Sequence, residues 1–381
     1  MSEVVDLLRD LVRIDTTNPP GNELQLANAL AAWLRHRGIE AVIDEFEPGR
    51  ANLSAQVQGA RPGRTLMFNT HMDVVPAGDG WARSAFGGDI QDGSIYGRGS
   101  ADSKGSLAAM AAAMVALAEG PDGFAGAIQL SAVADEEVNS RGARHLLLTA
   151  RPDAVIVGEP TDLRLMAAHK GSLRPVVEVV GRSSHAALPH RGLNAIEAVA
   201  ALLARLDGLR ERLAARSHAL VGRPTVVPVL VEGGEAPNMV PRACRVTFDR
   251  RLVPGETQEA AIEEFEAWLA DFEAAAGGVT ARIVALAPST GGPSETAADH
   301  PFVQACQAGL TQVGLSPDLG GLIVNCDMTH FRAAGIPAVV CGPGSPDVMH
   351  VRDEHLPVQA LEQAVAAYGS MARQWLTGDA G

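Results

Sequence analysis

The sequence predicts an α/β fold in which a mostly parallel sheet, flanked by helices, is interrupted by an inserted α+β domain of ferredoxin-like type. Residues 127–134 and 153–157 are short, nearly continuous apolar runs, which are typical of strands buried on both faces of a helix-covered sheet. Segments with helical patterning alternate with such runs. From about residue 173 the predicted order becomes β-α-β-β-α-β, the order of a ferredoxin-like unit.

The domain organisation follows from the length and from this change of pattern. A chain of 381 residues exceeds what one hydrophobic core usually supports, so two domains are expected. The inserted domain should span residues 173–288. A loop rich in Pro, Ser, Thr and Gly at 288–294 then leads back to the first pattern, so residues 1–172 and 289–381 should together form the other domain.

The individual elements are predicted from periodicity and from stop signals. Amphipathic helices are expected at 3–14 and 22–37, and the second ends at Gly38. The first domain should further contain β runs at 40–46, 51–58, 65–70, 127–134, 153–157 and 336–341, and helices at 105–118, 300–313 and 357–376. The inserted domain should contain β runs at 176–180, 224–231, 243–252 and 279–286, with helices at 192–213 and 256–276.

Composition argues against several classes of binding partner and several cellular locations. The net charge of −14 argues against nucleic acid and against anionic membrane surfaces. No apolar run approaches the length of a membrane helix, and residues 1–6 lack the basic start and apolar core of a signal peptide. The four cysteines are far apart and form no CxxC pair. We therefore expect a cytoplasmic protein. The sequence contains only two lysines, Lys104 and Lys170.

The first candidate site residues follow the apolar run that ends at residue 70. His71 and Asp73 are spaced i, i+2, so in an extended chain both side chains point to one side. A carboxylate behind an imidazole fixes its tautomer and raises its basicity, which is the usual support for a metal-binding histidine. The alternative interpretation is a surface loop with two ordinary polar residues.

Further acids and a histidine follow other predicted strands or precede a helix. Ligands of open α/β sheets bind outside the carboxyl ends of the strands, where these groups should meet. Taken singly, each has an alternative as a helix-terminal acid, a solvated acid or a surface histidine. Together, so many carboxylates without a counter-charge would repel one another, and metal cations remove that repulsion. The residues concerned are Asp102, Glu136, Glu137, Glu159 and His350.

The donor types narrow the expected cofactor to two divalent metal ions. Two histidines with several carboxylates and no cysteine suit zinc best, with cobalt or manganese also acceptable. Two ions sharing one bridging carboxylate would leave one acid over. Hydrolysis requires such a spare acid as the general base for a metal-bound water. Glu136 and Glu137 are adjacent at a strand end and point in different directions, so they can divide the roles of base and ligand. The spacing leaves the pairing of ligands with metals open.

In order along the chain, these motifs resemble the M20 metallopeptidase family, in particular its acetylornithine deacetylase and succinyl-diaminopimelate desuccinylase branch. The resemblance rests on segments around His71-Met-Asp73, Gly97 to Gly105, Asp135-Glu136-Glu137, Gly158-Glu159-Pro160-Thr161, Ser184-His185-Ala186, Asn238 to Pro241, Arg251 to Gly255 and His350. The family often has Met where Ser103 stands. Glu159, rather than Asp, is typical of the amino-acid deacylase side of the family.

The resemblance implies specific roles in the metal site. His71 and Glu159 would bind one metal, Glu137 and His350 the other, and Asp102 would bridge them. Glu136 would be the general base, and Asp73 would support His71.

The resemblance also implies that the inserted domain is a lid and dimerisation domain. His185 would contact the substrate carbonyl from the neighbouring subunit of a homodimer, with Asn238 as its partner. Arg251 could hold the free carboxylate of an acylated amino acid, because a guanidinium matches a carboxylate bidentately. The alternatives are a satisfied surface histidine for His185 and an interdomain salt bridge for Arg251.

The function predicted is a zinc-dependent amidohydrolase, a deacetylase or desuccinylase that cleaves N-acyl amino acids by metal-bound hydroxide. A dipeptidase or aminopeptidase acting on short peptides is the second enzyme interpretation, and a non-catalytic metal-dependent binding protein is the third. The prediction leaves the acyl group and the accepted side chain open. Some polar residues receive no catalytic role: Asp327 and His330 are unassigned, and His169, His190 and His355 are expected to be structural.

Overall fold

The computed structural model describes residues 2–120 and 123–377. The chain divides into two compact units. The first consists of Met1–Ala168, Glu295–Gly321 and Cys326–Gly381, and the second of His169–Ser294 with Leu322–Asn325. The two main boundaries therefore lie at 168/169 and 294/295, compared with the predicted 172/173 and 288/289, and the short segment 322–325 adds two more.

The N-terminal part of the chain contains four helices and eight strands within its described residues. They are α1 Glu3–Val12, α2 Glu23–Arg35, β1 Ala41–Glu47, β2 Arg50–Gln58, β3 Arg61–His71, β4 Asp89–Gln91, β5 Ser94–Tyr96, α3 Lys104–Glu119, β6 Ala125–Val133, α4 Arg141–Leu146, β7 Ala154–Val157 and β8 Leu165–His169.

The rest of the chain adds the elements of the second unit and then those that return to the first. The former are β9 Gly171–Leu173, β10 Pro175–Val180, β11 Ser184–His185, α5 Ala195–Ala204, α6 Leu206–Ala214, β12 Thr225–Gly233, β13 Met239–Val240, β14 Ala243–Leu252, α7 Gln258–Ala275 and β15 Thr280–Leu286. The latter are β16 Ser294–Glu295, α8 Pro301–Gln312, β17 Leu319–Leu322, α9 Met328–Ala333, β18 Ala338–Val340, β19 His355–Pro357 and α10 Val358–Thr377.

The main sheet has the order β1-β2-β6-β3-β7-β18-β8-β16, with β17 paired to β8. Its centre is parallel: β6 pairs with β3, β3 with β7, and β7 with β18 in the same direction. The outer pairs β1–β2, β2–β6 and β18–β8 are antiparallel, so the sheet is mixed with a parallel core. The α/β prediction is confirmed. The four parallel strands end at one edge, which gathers the residues that follow them.

The parallel centre forms because its strands are apolar on both faces. All four residues of β7 and all three of β18 are buried. The Ala-rich helix α3 is buried along nearly its whole length, because small side chains on several faces allow neighbours to approach closely. Helices α1, α8 and α10 contribute further apolar residues to the same core.

The second unit contains an antiparallel sheet in the order β12-β14-β10-β15, with β9 added beside β14. This order, together with helices between β10 and β12 and between β14 and β15, is that of the predicted ferredoxin-like unit. Phe248 on β14 packs edge-on against Phe265 and Trp268 of α7 and anchors this second core.

Several short elements were not predicted, among them α4, α9, β8 and β17, and two further differences concern the form of a helix and a small sheet. The helix expected at 192–213 is divided at Arg205, whose N–H bonds the carbonyl oxygen of Leu202 in a tighter turn. Strands β4, β5 and β19 form a separate small sheet that was not predicted, because each has only three residues and carries no readable alternation. In the described part of the chain, every helix is too short or too polar to span a lipid bilayer.

Candidate metal centre

The carboxyl edge of the parallel strands brings together all six of the acids and histidines predicted to form the metal centre. Each follows a central strand or precedes the helix packed on it. His71 is the last residue of β3, Glu136 and Glu137 follow β6, Glu159 follows β7, His350 lies after β18, and Asp102 precedes α3.

His71 is nearly fully buried and held from one side by the backbone. Its Nδ1 lies 2.9 Å from the carbonyl oxygen of Asp73, so Nδ1 carries the hydrogen that this oxygen accepts. Nε2 faces the opposite way, 3.2 Å from Asp102 Oδ1 and 3.7 Å from Glu159 Oε2. With the hydrogen on Nδ1, Nε2 of the neutral ring is unprotonated, and its lone pair points towards the two carboxylates.

Asp102 lies between the two histidines. Its Oδ1 is 3.2 Å from His71 Nε2, and its Oδ2 is 3.2 Å from His350 Nε2. Each oxygen of one carboxylate thus faces a different imidazole, which is the arrangement a bridging ligand requires.

Two groups of donor atoms share Asp102. His71, Asp102 and Glu159 each offer one atom within 4.8 Å of the others, and Asp102, Glu137 and His350 do the same. Glu137 Oε2 lies 3.2 Å from His350 Nε2. His350 differs from the rest because its side chain is 52% exposed and its backbone has φ of 59°. Burial therefore does little to fix the position of this imidazole.

The raised pKa values of His71 and His350 show that the surrounding carboxylates favour a positive charge at this site. Burial alone would lower the pKa of His71, but Glu159, Asp102 and Asp73 outweigh it and raise the pKa well above its ordinary value. Hydrogen bonds to Asp102 and Glu137 raise the pKa of His350 to about 10. Burial would raise the pKa of Asp102, but its contacts with His350 and His71 lower it instead.

The pKa values of two neighbouring acids, Glu159 and Glu137, are also raised, which disfavours their negative charge. Burial raises the pKa of Glu159 to about 7, and repulsion from Asp102 and Glu137 adds to the shift. Burial and then Asp102 raise the pKa of Glu137. Each group ionises more readily when a positive charge lies between the carboxylates.

Divalent cations fit this donor set. The buried Oε1 of Glu137 has no hydrogen-bond partner among the described residues, although such an atom is normally satisfied. Imidazole nitrogen and carboxylate oxygen are donors that zinc, cobalt and manganese accept. A cation in each group would replace the protons that the histidines otherwise need.

Glu136 belongs to neither donor group. Its side chain is buried, and its pKa is raised well above the ordinary value, by burial first and then by Glu159, with His71 opposing. A buried acid with a raised pKa beside a cation site has the properties of a general base.

Asp73 supports this region in a way that the sequence did not indicate. Its Oδ1 is 3.6 Å from His71 Nδ1, so the carboxylate does lie behind the imidazole, but the shorter contact there is made by its carbonyl oxygen. The carboxylate instead accepts the backbone N–H groups of Glu136, at 3.1 Å, and Glu137, at 3.2 Å. Asp73 thus fixes the backbone that carries the proposed base and its neighbouring ligand.

Behind Asp73 lies a buried network that sequence reasoning missed. Asn18 Nδ2 lies 2.9 Å from Asp73 Oδ2 and 2.9 Å from Asp135 Oδ1. Arg50 reaches the same oxygen of Asp135 at 3.0 Å and binds both oxygens of Glu23 at 2.7 Å. In the sequence, Asn18 precedes two prolines, and nothing in this local pattern indicates a buried hydrogen-bonding role.

Both lysines are buried and bind backbone carbonyl groups. Lys104 Nζ, at the start of α3, donates to the carbonyl oxygens of Leu11 at 3.1 Å and Ile14 at 2.7 Å, at the end of α1. Lys170 Nζ, in the second unit, donates to the carbonyl oxygen of Arg223 at 2.6 Å. Neither amine faces solvent as most lysines do.

The predicted substrate residues lie in the second unit. His185 on β11 is exposed and pairs with Met239 of β13, while the N–H of Ala186 bonds the carbonyl oxygen of Asn238. His185 and Asn238 are therefore neighbours. Arg251 on β14 binds Asp249 with Nε 2.6 Å from Oδ1 and Nη2 3.3 Å from Oδ2. This ion pair lies within its own unit, whereas the alternative considered for Arg251 was a salt bridge between the domains.

The residues without a predicted catalytic role have varied environments. His169 is buried between Ser294 Oγ, at 2.6 Å, and the carbonyl oxygen of Lys170, at 2.8 Å, and burial lowers its pKa to about 4. His355 stacks on Tyr96, and His190 is exposed. Asp327 is buried, which raises its pKa to about 6.

This fold and donor set define an α/β protein with a centre suited to two cations. Residues 67–374 match peptidase family M20/M25/M40, and the chain belongs to that family, as its sequence motifs indicated.

Curated relatives and solved structures agree with this assignment. The acetylornithine deacetylase of Salmonella arizonae is 31% identical over 94% of each chain, and that of Salmonella typhimurium is 30% identical with the same coverage. A tripeptidase of Staphylococcus aureus superposes with a TM-score of 0.81 at 21% identity over 98% of each chain. A dinuclear metal-binding peptidase of Bacillus subtilis superposes with a TM-score of 0.75 at 16% identity, covering 98% of this chain and 97% of its own.

Proposed function

We propose that the protein is a two-cation amidohydrolase that removes the acyl group from N-acyl amino acids. The observation that carries this proposal is the Asp102 carboxylate, whose two oxygens each lie 3.2 Å from a different imidazole. Neither donor group around it includes Glu136, which therefore remains as an acid for proton transfer.

The proposed ligands divide between the two cations. His71 and Glu159 would hold the first, Glu137 and His350 would hold the second, and Asp102 would contribute one oxygen to each. Zinc suits these donors, and cobalt and manganese are the other candidates. Two bound cations would supply polarisation of the amide carbonyl and a pKa of water lowered towards neutrality.

The chain's own residues then handle the protons and the substrate. Glu136 takes a proton from the attacking water and passes it to the nitrogen of the leaving amine. Its burial supports this role, because a raised pKa lets the carboxyl hold a proton between the two steps. Asp73 keeps Glu136 in place through the backbone N–H. His185 and Asn238 contact the substrate carbonyl, and Arg251 holds the carboxylate of the amino acid.

The preference for N-acyl amino acids rests on the deacetylase relatives, since they cover 94% of this chain at about 30% identity. A screen should compare N-acetyl, N-succinyl, N-formyl and N-carbamoyl amino acids with Gly-X dipeptides, with and without added zinc, cobalt or manganese. Turnover of an acyl amino acid supports the proposal. Turnover of dipeptides alone would make the protein a dipeptidase, and binding without turnover would make it a metal-dependent binding protein.

Metal dependence provides a separate test. Purified protein should bind close to two divalent ions per chain, lose activity on treatment with a chelator and regain it when the ion is restored. Full activity in protein shown to be free of metal would exclude the proposed mechanism.

A homodimer in the cytoplasm completes the proposal. Strand β12 lies at the edge of the second unit's sheet and exposes a row of apolar side chains, of which Leu230 is 60% exposed and Val231 56% exposed. Monomeric proteins rarely leave such an edge uncovered, so a second copy of the chain is the proposed partner. The four free cysteines, all buried, agree with a reducing compartment.

A further inference from the structure

Glu354 is a fully buried carboxylate that collects four hydrogen bonds from one loop. Its Oε1 accepts the backbone N–H groups of Gly99, Ala101 and Asp102, each at 3.0 Å. Its Oε2 lies 2.7 Å from Nη1 of Arg98. A buried acid with this many donors forms a rigid contact, because breaking any one of these bonds leaves a buried polar group unpaired.

The contact joins two segments that both supply the second donor group. Asp102 lies in the loop held by Glu354, and His350 lies four residues before Glu354 in the chain. The carbonyl oxygen of Glu354 also accepts the N–H of Gly97 at 2.9 Å, so both its backbone and its side chain tie the segments together. The same two segments bring Asp102 Oδ2 within 3.2 Å of His350 Nε2.

The first donor group has independent support. His71 ends a central strand and is 1% exposed, and Glu159 directly follows the buried strand β7. His350, by contrast, is half exposed on a loop, and no strand or helix contains it. Loss of the Glu354 contact therefore releases two of the three residues of the second group but only Asp102 of the first.

We propose that Glu354 is a positioning residue on which retention of the second cation, held by Asp102, Glu137 and His350, specifically depends. The inference rests on the proposed two-cation function. Outer residues that orient metal ligands commonly change affinity about 10- to 100-fold when they are replaced. A loss of this size is expected for one of the two stepwise binding constants.

Glu354→Gln tests the proposal, because an amide cannot present acceptors both to the three N–H groups and to Arg98. Zinc binding to the metal-free full chain would be measured by competition with a chromophoric chelator. His350→Ala identifies which of the two steps belongs to the second group. Glu256→Gln is the matched control: Glu256 is partly buried and bound to an arginine and a backbone N–H, but it lies in the second unit.

The expected result is that Glu354→Gln weakens the same step as His350→Ala by about 10- to 100-fold while the other step is unchanged. Glu256→Gln should lower the melting temperature and leave both steps unchanged. Equal weakening of both steps, or no weakening, would overturn the positioning role. Failure of the wild-type chain to bind two cations would instead overturn the proposed function.

If the Glu354→Gln protein does not fold, Glu354→Asp provides a second test of the same proposal. This substitution keeps the charge but is one methylene too short to contact the three N–H groups and Arg98 together. The same selective loss is expected, and wild-type binding at both steps in a folded Glu354→Asp protein counts against the proposal. Circular dichroism of the metal-free variants distinguishes an altered site from a lost fold.

Discussion

Asn18 donates a side-chain hydrogen bond to Asp73, with Nδ2 2.9 Å from Oδ2. The second hydrogen of the same amide is directed to Asp135 Oδ1, also at 2.9 Å. Asn18 therefore separates two buried carboxylates by contributing a donor to each. Because Asp73 in turn holds the backbone of Glu136 and Glu137, a residue near the N-terminus determines the setting of the proposed base.

Replacing Asn18 by Asp should destabilise the fold strongly. The substitution turns a double donor into a third carboxylate between Asp73 and Asp135, which leaves buried charges facing each other. We expect the free energy of unfolding to fall by about 3 kcal/mol, measured by urea denaturation. Asn28→Asp, on the exposed side of α2, is the control and should change stability little. A stable Asn18→Asp protein would contradict the donor role.

Glu136→Gln should separate proton transfer from metal binding. The amide has nearly the same shape but cannot accept the water proton, and Glu136 is outside both donor groups. We expect kcat to fall at least ~100-fold with metal content unchanged. Glu137→Gln should instead reduce metal content, because Glu137 is a proposed ligand. Metal loss in Glu136→Gln alone would show that the two roles have been exchanged.

The role of Arg251 can be tested by changing the substrate. If Arg251 holds the substrate carboxylate, converting that group to an amide should lower kcat/KM strongly in the wild type and little in Arg251→Ala. Arg245→Ala removes another arginine of β14, paired with Glu178, and should retain the wild-type response. Equal losses in wild type and Arg251→Ala would leave Arg251 with only its structural bond to Asp249.

The shared site can be tested with mixed dimers. His185→Ala and Glu136→Gln proteins should each be nearly inactive. Refolding them together in equal amounts makes about half the dimers heterodimers, each with one complete site if His185 acts on its neighbour, so about a quarter of wild-type activity should return. Verified heterodimers without recovered activity would place His185 at the site of its own chain.

His169 should make the stability of the second unit depend on pH. Its pKa is about 4 in the folded protein, compared with an ordinary value of 6.5, because burial opposes its charge. Between pH 6.5 and 4 the unfolded chain binds the proton and the folded chain does not, so stability falls as the pH falls. The contribution lost is about 3 kcal/mol.

His169→Gln should flatten this dependence, measured by urea denaturation from pH 7 to 4. His190→Gln, at an exposed position, should retain the slope of the wild type. Parallel curves for wild type and His169→Gln would show that the buried imidazole titrates no differently on unfolding.

The main sheet and its ligand edge could be predicted because their signals are local. The apolar runs of β3, β6 and β7 identify buried strands, and the acids that follow them indicate the carboxyl edge of the sheet. The short strands β4, β5 and β19 gave no such signal. Strands β4 and β5 are neighbours in the chain, but β19 depends on a partner far away in the sequence, as in the pairing of Tyr96 with His355.

The supporting residues could not be predicted for a related reason. Glu354 stands in the charged stretch Arg352-Asp353-Glu354, where the sequence indicates only solvent exposure. Its burial arises because the loop of Asp102 folds over it. The contact of Asp73 with the N–H groups of Glu136 and Glu137 likewise joins segments more than 60 residues apart. Hydrogen bonds between a side chain and distant backbone groups leave no periodicity in the sequence.

The burial of both lysines gives the folded protein an unusual chemical surface. Lys104 and Lys170 point inward to carbonyl groups, so the basic side chains available to solvent are arginines and histidines. Reagents that acylate side-chain amines should therefore react only when the chain opens. Acylation of Lys104 would report the separation of α1 from α3, and acylation of Lys170 the loosening of the second unit. The acylation rates of these two lysines thus measure local opening in the two units separately.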